Sequence, residues 1–451
     1  MKPSMEGPHK NRSLGRSRNR YVDLLRVIAV VLVVLGHWLA ISITYHGGHL
    51  EGQDVMARLP WTEWLSLPFQ VMPVFFLVGG FANAASWTSH RTRGEGWGCW
   101  LYGRAIRLVG PTTAYVLVAV AVVAVCRAAK VDPAVLRRAG WAVALHLWFL
   151  PIYLGLLAVT PGLHAAHRRW GLGVPAVLAV GAAGVNTAVL LSHPPLLGWA
   201  DYLLVWGVIY QLGFAWHHGA LTRTRQRPLT LAAMGITVLV GLVWLGPFPV
   251  SMVGVPGARI KNSAPPSVAL LAFAIGQVGL LLAAEPAMTR LLRRPHLWRA
   301  VARTNRMAMT LYLWHMAPVI LAAVALYPTG LLPSTPIGSS AWLRQRLIWM
   351  FALTVLFIPM AMALRPAERL TSTRRGADIG SLRRKSWPLL ATGVAAVGFA
   401  LARISAQGFA PSGRPLLPVL AVYTAGVFLL ITAGRMRTRP DGRMLPTTRE
   451  N

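Results

Sequence analysis

Apolar residues recur along this chain in windows long enough to cross a bilayer core, which takes about 20 residues of helix. Polar segments separate the windows and hold most of the charged residues. Twelve windows are predicted, near 22–45, 67–87, 108–126, 142–160, 174–192, 197–216, 228–246, 266–284, 307–327, 343–364, 387–405 and 415–433. The pattern predicts an all-α, polytopic transmembrane helical bundle of about 12 spans, with 197–216 the most polar of them.

The formal net charge of +32 would suit a nucleic-acid-binding protein, but the distribution of the charges follows membrane topology instead. With twelve spans, seven of the polar segments lie on the same side of the membrane as the N-terminus. These seven segments hold 33 of the 45 Lys and Arg residues. Positive residues are retained in the cytoplasm during membrane insertion. We therefore expect a multi-pass protein of the plasma membrane with both termini cytoplasmic and no nucleic-acid partner.

The polar segments divide the chain without adding a soluble domain, because none is long enough to build a core of its own. The predicted parts are a cytoplasmic basic tail (1–20), a ten-helix membrane domain (21–364), a cytoplasmic loop (365–386), two additional transmembrane helices (387–433) and a cytoplasmic tail (434–451). The outward loop 247–257, rich in Pro and Gly, is either an ordered cover or a plain connector.

The first span carries three ionisable residues, Asp23, Arg26 and His37. Such groups are costly inside a membrane and often mark a polar interior. His37 lies eleven positions after Arg26, a spacing that returns to within about 20° of the same helix face and climbs about 16 Å. Asp23 lies one turn from Arg26 and can pair with it. The structural alternative is that Arg26 extends to the interface and His37 bonds a neighbouring helix.

Further candidates lie near later spans. Arg104 and Arg107 share a helix face and could grip a phosphate group, although topology alone also explains two arginines there. His146 and His315 each need a polar partner in an apolar setting, whereas Trp148 also suits an interfacial anchor. The two cysteines, Cys99 and Cys126, give no ligand cluster, so we expect no metal and no tightly bound cofactor.

Five stretches together resemble the family 3 membrane acyltransferases, over roughly residues 20–364. The first is Tyr21–Ala29 followed by Gly36 and His37, which is similar to a hallmark of Arg, ten residues, then His. The others, in the family's order, are Met72–Phe81, Arg104 to Arg107 followed by Pro111, His146–Leu150 and Tyr312–His315. One departure is Gly79, where the family usually carries Ser, so a hydroxyl contact is missing there.

The resemblance implies an O-acyltransferase, and a composition rich in Ala, Arg, Gly and Leu is typical of a GC-rich bacterial genome. The enzyme would move an acyl group, in particular acetyl, from cytoplasmic acyl-CoA to a hydroxyl of a carbohydrate, lipid or secondary metabolite. We expect catalytic roles for His37, as general base, and Arg26, with the CoA phosphates on Arg26, Arg104 and Arg107. Asp23, Trp148, His146 and His315 are the substrate-binding candidates. A transient acyl-histidine is the alternative mechanism, and the sequence does not separate the two.

A rival function is secondary transport of a small anionic solute, because twelve spans with both ends inside is also a transporter layout. That reading predicts two related halves, each with interrupted helices and polar residues near the midplane. Here the ionisable residues cluster in the first span, and no similarity between halves is found. The sequence therefore favours the enzyme.

Overall fold

The computed structural model describes residues 19–192, 196–371 and 384–436. The helices of its first half are α1 (Arg20–Ala40), α2 (Val55–Arg58), α3 (Ser66–Phe69), α4 (Met72–Thr92), α5 (Trp97–Ala128), α6 (Pro133–Ala142), α7 (Phe149–Trp170), α8 (Gly173–Ser192) and α9 (Ala200–His217). Short 3-10 turns precede α3, α7 and α9, at Pro60–Leu65, Leu145–Trp148 and Leu197–Trp199.

The helices of the second half are α10 (Gln226–Trp244), α11 (Val268–Leu291), α12 (Pro295–Asn305), α13 (Ala308–Trp314), α14 (Ala317–Leu326), α15 (Ser340–Thr371), α16 (Trp387–Gln407) and α17 (Leu417–Arg435). A 3-10 turn at Arg384–Ser386 precedes α16. The tails predicted at 1–20 and 434–451, and the loop predicted at 365–386, lie largely outside the described residues.

The molecule is a polytopic helical bundle, as the apolar windows predict, and each of the twelve windows contains a helix. Within the described ranges, ten helices are long and apolar enough to cross a membrane, or up to eleven if the bent pair α13 and α14 forms one span. The one predicted window whose helix is not among these candidates is 197–216, which contains α9. This helix carries Asp201 and Gln211 and is buried along most of its length, so it forms an inner part of the bundle.

The first span is shorter than its apolar window, because residues 41–54 form a hairpin. Strand β1 (Ile41–His46) pairs antiparallel with β2 (His49–Asp54), and the register places Ile41 opposite Asp54 and His46 opposite His49. The connecting residues Gly47 and Gly48 have φ of +56° and +82°, which suits a tight two-residue hairpin turn. The predicted helix end near residue 45 is therefore wrong, since β-branched residues and the two glycines favour the hairpin.

Small residues allow α4 and α9 to pack backbone against backbone. A Cβ atom at Gly80 would lie 2.0 Å from the carbonyl oxygen of Tyr210, and one at Gly213 would lie 2.3 Å from that of Leu77. Such close approach is a usual means of helix association in membranes. It fixes the position of α4, which carries several residues of the site described below.

The loop 247–257, which the sequence predicts to face outward, is packed against the segment before α4, as expected for an ordered cover rather than a plain connector. Met252 is fully buried; its backbone N–H donates to Ser66 Oγ at 2.9 Å, and its carbonyl oxygen accepts from Gln70 Nε2 at 2.6 Å. The side chain of Asn262 donates to the carbonyl oxygens of Pro249 and Ser251. These bonds tie the loop to the segment before α4.

The last two helices pack on the rest of the bundle. α16 contacts α7 and the 3-10 turn before it, and α17 contacts both α16 and α5. The hydroxyl groups of Tyr423 and Thr113 lie 2.9 Å apart, and the backbone N–H of Phe409 donates to Gly140 O at 3.2 Å. This pair of helices therefore supports the side of the bundle that carries His146.

Candidate active site

At one end of α1, Arg26 is held by two side chains. Its Nη1 lies 3.2 Å from Asp23 Oδ1, one turn away, and 3.4 Å from Asn305 Oδ1 at the end of α12. The amide of Asn305 also donates to Asp23 Oδ1 at 2.9 Å. Asp23 is 3% exposed, whereas the side chain of Arg26 is 31% exposed. The predicted pair of Asp23 and Arg26 is confirmed, and it leaves the guanidinium partly accessible.

Further along α1, His37 bonds a second histidine. Its Nδ1 lies 2.7 Å from His315 Nε2, and the two rings are almost parallel, with an interplanar angle of 10°. Arg26 and His37 thus bind Asn305 and His315, which lie ten residues apart on one neighbouring stretch of chain. Both side chains therefore face the same side of α1, as their spacing predicts.

His315 lies where a membrane helix breaks. α13 ends at Trp314, α14 begins at Ala317, and the two axes are bent by 46°. Pro318 has no backbone N–H, so it cannot continue the helical bonding across the break. Two carbonyl groups at the break find other donors: Trp38 Nε1 donates to His315 O at 2.7 Å, and His315 Nδ1 lies 2.8 Å from Tyr312 O.

These bonds fix which nitrogen of His37 is basic when both rings are neutral. The carbonyl oxygen of Tyr312 can only accept, so Nδ1 of His315 carries the hydrogen and Nε2 is left as the acceptor. His37 Nδ1 must then be the donor to His315 Nε2. Consequently the hydrogen of neutral His37 is on Nδ1, and its Nε2 keeps the lone pair that a general base or a nucleophile needs.

His146 completes a histidine cluster, defined here as His37, His146 and His315. It lies in the 3-10 turn before α7, with its ring centroid 4.8 Å from that of His315 and 5.3 Å from that of Tyr312. It is 2% exposed, and neither ring nitrogen reaches hydrogen-bond geometry with a described residue, although the backbone of Leu313 lies nearby. A buried, unpaired imidazole is costly, and a bound ligand would satisfy it.

Arg104 and Arg107, both in the first half of α5, differ in their surroundings. Arg104 is half-buried, and its Nη2 lies 3.5 Å from the carbonyl oxygen of Ala82. Its charge interacts with those of Arg26 and Arg107, so like charges gather at this end of α1. Arg107 itself is exposed. We call Arg26, Arg104 and Arg107 the arginine group.

A buried hydroxyl network lies next to Arg104. The amide of Asn83 donates to Tyr153 Oη at 3.0 Å and to Tyr210 Oη at 2.9 Å, and Tyr210 also bonds Thr160 Oγ1 at 2.6 Å. The side-chain oxygen of Asn83 makes no hydrogen bond within the described part of the chain. Both tyrosines lie close enough to Arg104 to act on its charge.

Tyr153 also accounts for Gly79, the position where the sequence departs from the family pattern. A Cβ atom at Gly79 would lie 2.6 Å from Cε2 of Tyr153 and 3.1 Å from its hydroxyl oxygen, both closer than normal contact. The tyrosine ring therefore occupies the space that a serine side chain would need. A hydroxyl is present at this place, but it comes from α7 instead of α4.

Trp148, another of the substrate-binding candidates, contacts aromatic residues of α9 rather than the histidines. Its ring packs on Trp206 and Tyr202, with centroids 6.0 and 6.2 Å apart. The ring of the next residue, Phe149, packs on that of Tyr312, with centroids 5.9 Å apart, and so borders the histidine cluster. The role of Trp148 in substrate binding stays a prediction, and Phe149 is a further residue next to the cluster.

Sequence reasoning missed three residues of the site. Asn83 is a single uncharged polar residue inside the apolar helix α4, whereas Asn305 ends the basic helix α12, where one more polar residue carries no signal. Tyr312 contributes a backbone carbonyl, which every residue has. Within the described ranges, no group of three or more His, Cys, Asp and Glu residues is arranged to hold a metal ion.

Comparison with protein families matches residues 19–365 to the acyltransferase domain of the acyltransferase 3 family. The match covers more than three quarters of the chain and ends before α16. Searches of curated proteins and of solved structures find no significant match.

Proposed function

Because the chain belongs to the acyltransferase 3 family and is therefore a membrane acyltransferase, we propose that it transfers an acyl group, in particular acetyl, from acyl-CoA to a hydroxyl group. The acceptor would be a carbohydrate, a lipid or a secondary metabolite. The observation that carries this proposal is the bond between His37 and His315, which leaves Nε2 of His37 as the basic nitrogen.

The arginine group would hold the phosphates of the donor. Arginine suits phosphate because its planar guanidinium presents several donors at once. Arg26 is held by Asp23 and Asn305 but remains partly exposed, so it can still reach a ligand. The climb of about 16 Å from Arg26 to His37 suits an extended pantetheine arm that carries the thioester along α1.

His37 would serve as general base and then as general acid. Its Nε2 takes the proton of the acceptor hydroxyl as that oxygen attacks the thioester carbonyl carbon. The carbon–sulfur bond then breaks, and the thiolate of CoA takes the proton back from Nε2, so that an ester and free CoA leave. Positioned proton transfer of this kind contributes roughly 10²–10⁴ in rate.

His315 and His146 would have different tasks in this step. His315 touches His37 and sets its tautomer, so it is a positioning residue. His146 has ring nitrogens without a hydrogen bond to the described residues, so it offers a place to bind the acceptor hydroxyl or the thioester oxygen. An acyl-histidine route would use the same Nε2 atom as nucleophile, and it predicts CoA release in the absence of any acceptor.

The donor comes from the cytoplasm, so the arginine group is proposed to lie on the cytoplasmic side of the plasma membrane together with both termini. The distribution of Lys and Arg supports this orientation. The transporter alternative predicts interrupted helices in two corresponding halves. Within the described residues, one pair of helices, α13 and α14, is broken in this way.

The proposal is tested by measuring thiol release from acetyl-CoA by the purified protein, with a lipid and glycan extract of the source cells as acceptor. We expect turnover by the wild type and a loss of about 10²–10⁴-fold in kcat for His37→Ala. His49→Ala, at the exposed start of strand β2, is the matched control and should keep full activity. Normal turnover by a correctly inserted His37→Ala variant would overturn the assignment of the base.

Mass spectrometry of envelope glycans, lipids and secreted metabolites would then identify the acceptor. Cells with an active gene should contain one species with an acyl group that cells carrying only His37→Ala lack. Using this variant instead of a deletion keeps the membrane protein present, so a difference reports the transfer itself.

A further inference from the structure

The helix α12 has two unlike faces. Leu297, Val301 and Asn305 follow one another at intervals of four residues and lie on its buried or half-buried side. The opposite side carries His296, Arg299, Arg303 and Arg306, all of them exposed and within an arc of about 80°. We call these four residues the α12 stripe.

α12 is fixed against the start of α1, next to the proposed donor site. At its C-terminal end, Asn305 bonds both Asp23 and Arg26. Before its N-terminal end, Arg20 donates to the carbonyl oxygen of Leu292 at 3.1 Å, and the Arg20 guanidinium lies 5.0 Å from the Trp298 ring. α12 is therefore held by α1 at both ends, beside Arg20 at its start and beside Arg26 at its end.

The stripe has no ion-pair partner in the part of the chain that the structure describes. The chain has no acidic residue between Glu285 and Glu368. Among the described residues, none of the ion pairs involves α12. Membrane topology explains why a loop here is basic, but it does not require the arginines to share one face of a helix whose other face holds Arg26.

We infer that the α12 stripe binds the phosphorylated nucleotide of the acyl-CoA donor, while Arg26 and Arg104 receive the phosphates nearest the pantetheine arm. The inference rests on the proposed function. Arg299 and Arg306 are separated by about 10 Å along the helix axis, so the stripe can meet more than one phosphate of the same molecule. Exposed arginines also raise the local concentration of a polyanionic substrate.

The test compares two donors, acetyl-CoA and S-acetyl-pantetheine, which has the same thioester but no nucleotide. Arg299→Gln combined with Arg303→Gln should raise the KM for acetyl-CoA roughly tenfold. It should leave kcat, and the KM for S-acetyl-pantetheine, unchanged. Arg223→Gln combined with Arg225→Gln removes the same charge from an exposed turn between α9 and α10 and should change neither KM.

Two results would overturn the inference. An equal rise of KM for both donors would show that the stripe does not recognise the nucleotide. A rise seen only in nanodiscs that contain phosphatidylglycerol, and absent in pure phosphatidylcholine, would assign the stripe to lipid headgroups.

Binding of adenosine 3′,5′-bisphosphate, measured by calorimetry, separates this inference from the proposed function. The double variant of the stripe should bind it about tenfold more weakly than the wild type, and unchanged binding would reject the inference. If the wild type turned over neither donor, the proposed function would fail, and this binding measurement would still decide about the stripe.

Discussion

Nδ1 of His37 and Nε2 of His315 lie 2.7 Å apart, although 278 residues separate them in the chain. His315 can accept this hydrogen bond because its own Nδ1 is engaged by the carbonyl oxygen of Tyr312. One imidazole thus decides the tautomer of the other. The break between α13 and α14 places this carbonyl and this ring together.

The role of His315 is tested by two substitutions, one that removes the hydrogen-bond acceptor for His37 and one that keeps an acceptor. His315→Leu removes the acceptor for His37 Nδ1, and we expect kcat to fall by about 10²–10⁴-fold, the usual contribution of a positioned general base. His315→Gln can place an amide oxygen near the former Nε2, so it should keep kcat within about tenfold of the wild type. The KM for acyl-CoA should change little in either variant.

The pH profile of kcat/KM shows whether His37 still acts as the base when His315 is replaced. The wild type and His315→Gln should both lose activity on the acidic side, because His37 must be neutral to act as a base. Equal losses in the Leu and Gln variants, with unaltered pH profiles, would reduce His315 to a packing residue.

The sequence predicts well how Arg26 and His37 are placed on α1. It predicts only in outline which residues of other segments surround His37. The spacing of Arg26 and His37 is a local property of one helix, so helix geometry is enough to place both on one face. The contact of His37 with His315 joins distant segments and depends on a 46° break, which no local pattern determines. His146 and His315 were therefore predicted as separate pocket residues rather than as one cluster.

Errors at the helix ends have a similar origin. The window 22–45 is apolar throughout, and apolar character alone does not separate the end of α1 at Ala40 from strand β1. The glycines at 47 and 48 carry the missing information, since positive φ at two adjacent residues is typical of a hairpin turn. Likewise, the window 142–160 begins before α7, and His146 lies in a 3-10 turn instead.

Arg104 and Arg107 should contribute unequally to donor binding. Arg104 is half-buried and interacts electrostatically with Arg26, whereas Arg107 is exposed. We expect Arg104→Gln to raise the KM for acetyl-CoA by about tenfold or more, and Arg107→Gln to raise it only two- to threefold. Steady-state kinetics in one lipid composition would measure both, with Arg225→Gln as control. A larger effect at Arg107 would contradict the arrangement proposed here.

Gly79 should not tolerate the serine that is usual in the family. Gly79→Ser places a Cβ atom 2.6 Å from Tyr153, and we expect it to lower the free energy of unfolding by about 1–3 kcal/mol. Shortening the neighbour in Gly79→Ser combined with Tyr153→Val should recover part of this loss. Thermal unfolding of the two single variants and the double variant gives the coupling energy. Additive effects would mean that the two side chains do not compete for the same space.

Asn305 should influence donor binding through Arg26. Asn305→Leu removes the amide from Asp23 and Arg26, so we expect the free energy of unfolding to fall by about 1–3 kcal/mol because the nearly buried Asp23 loses a donor. Asn305→Asp instead places a second carboxylate beside the guanidinium, and this new negative charge would compete with the donor phosphate. The KM for acetyl-CoA should therefore rise more in the Asp variant than in the Leu variant, with kcat retained in both. Equal KM values in the wild type and both variants would exclude Arg26 from the donor site.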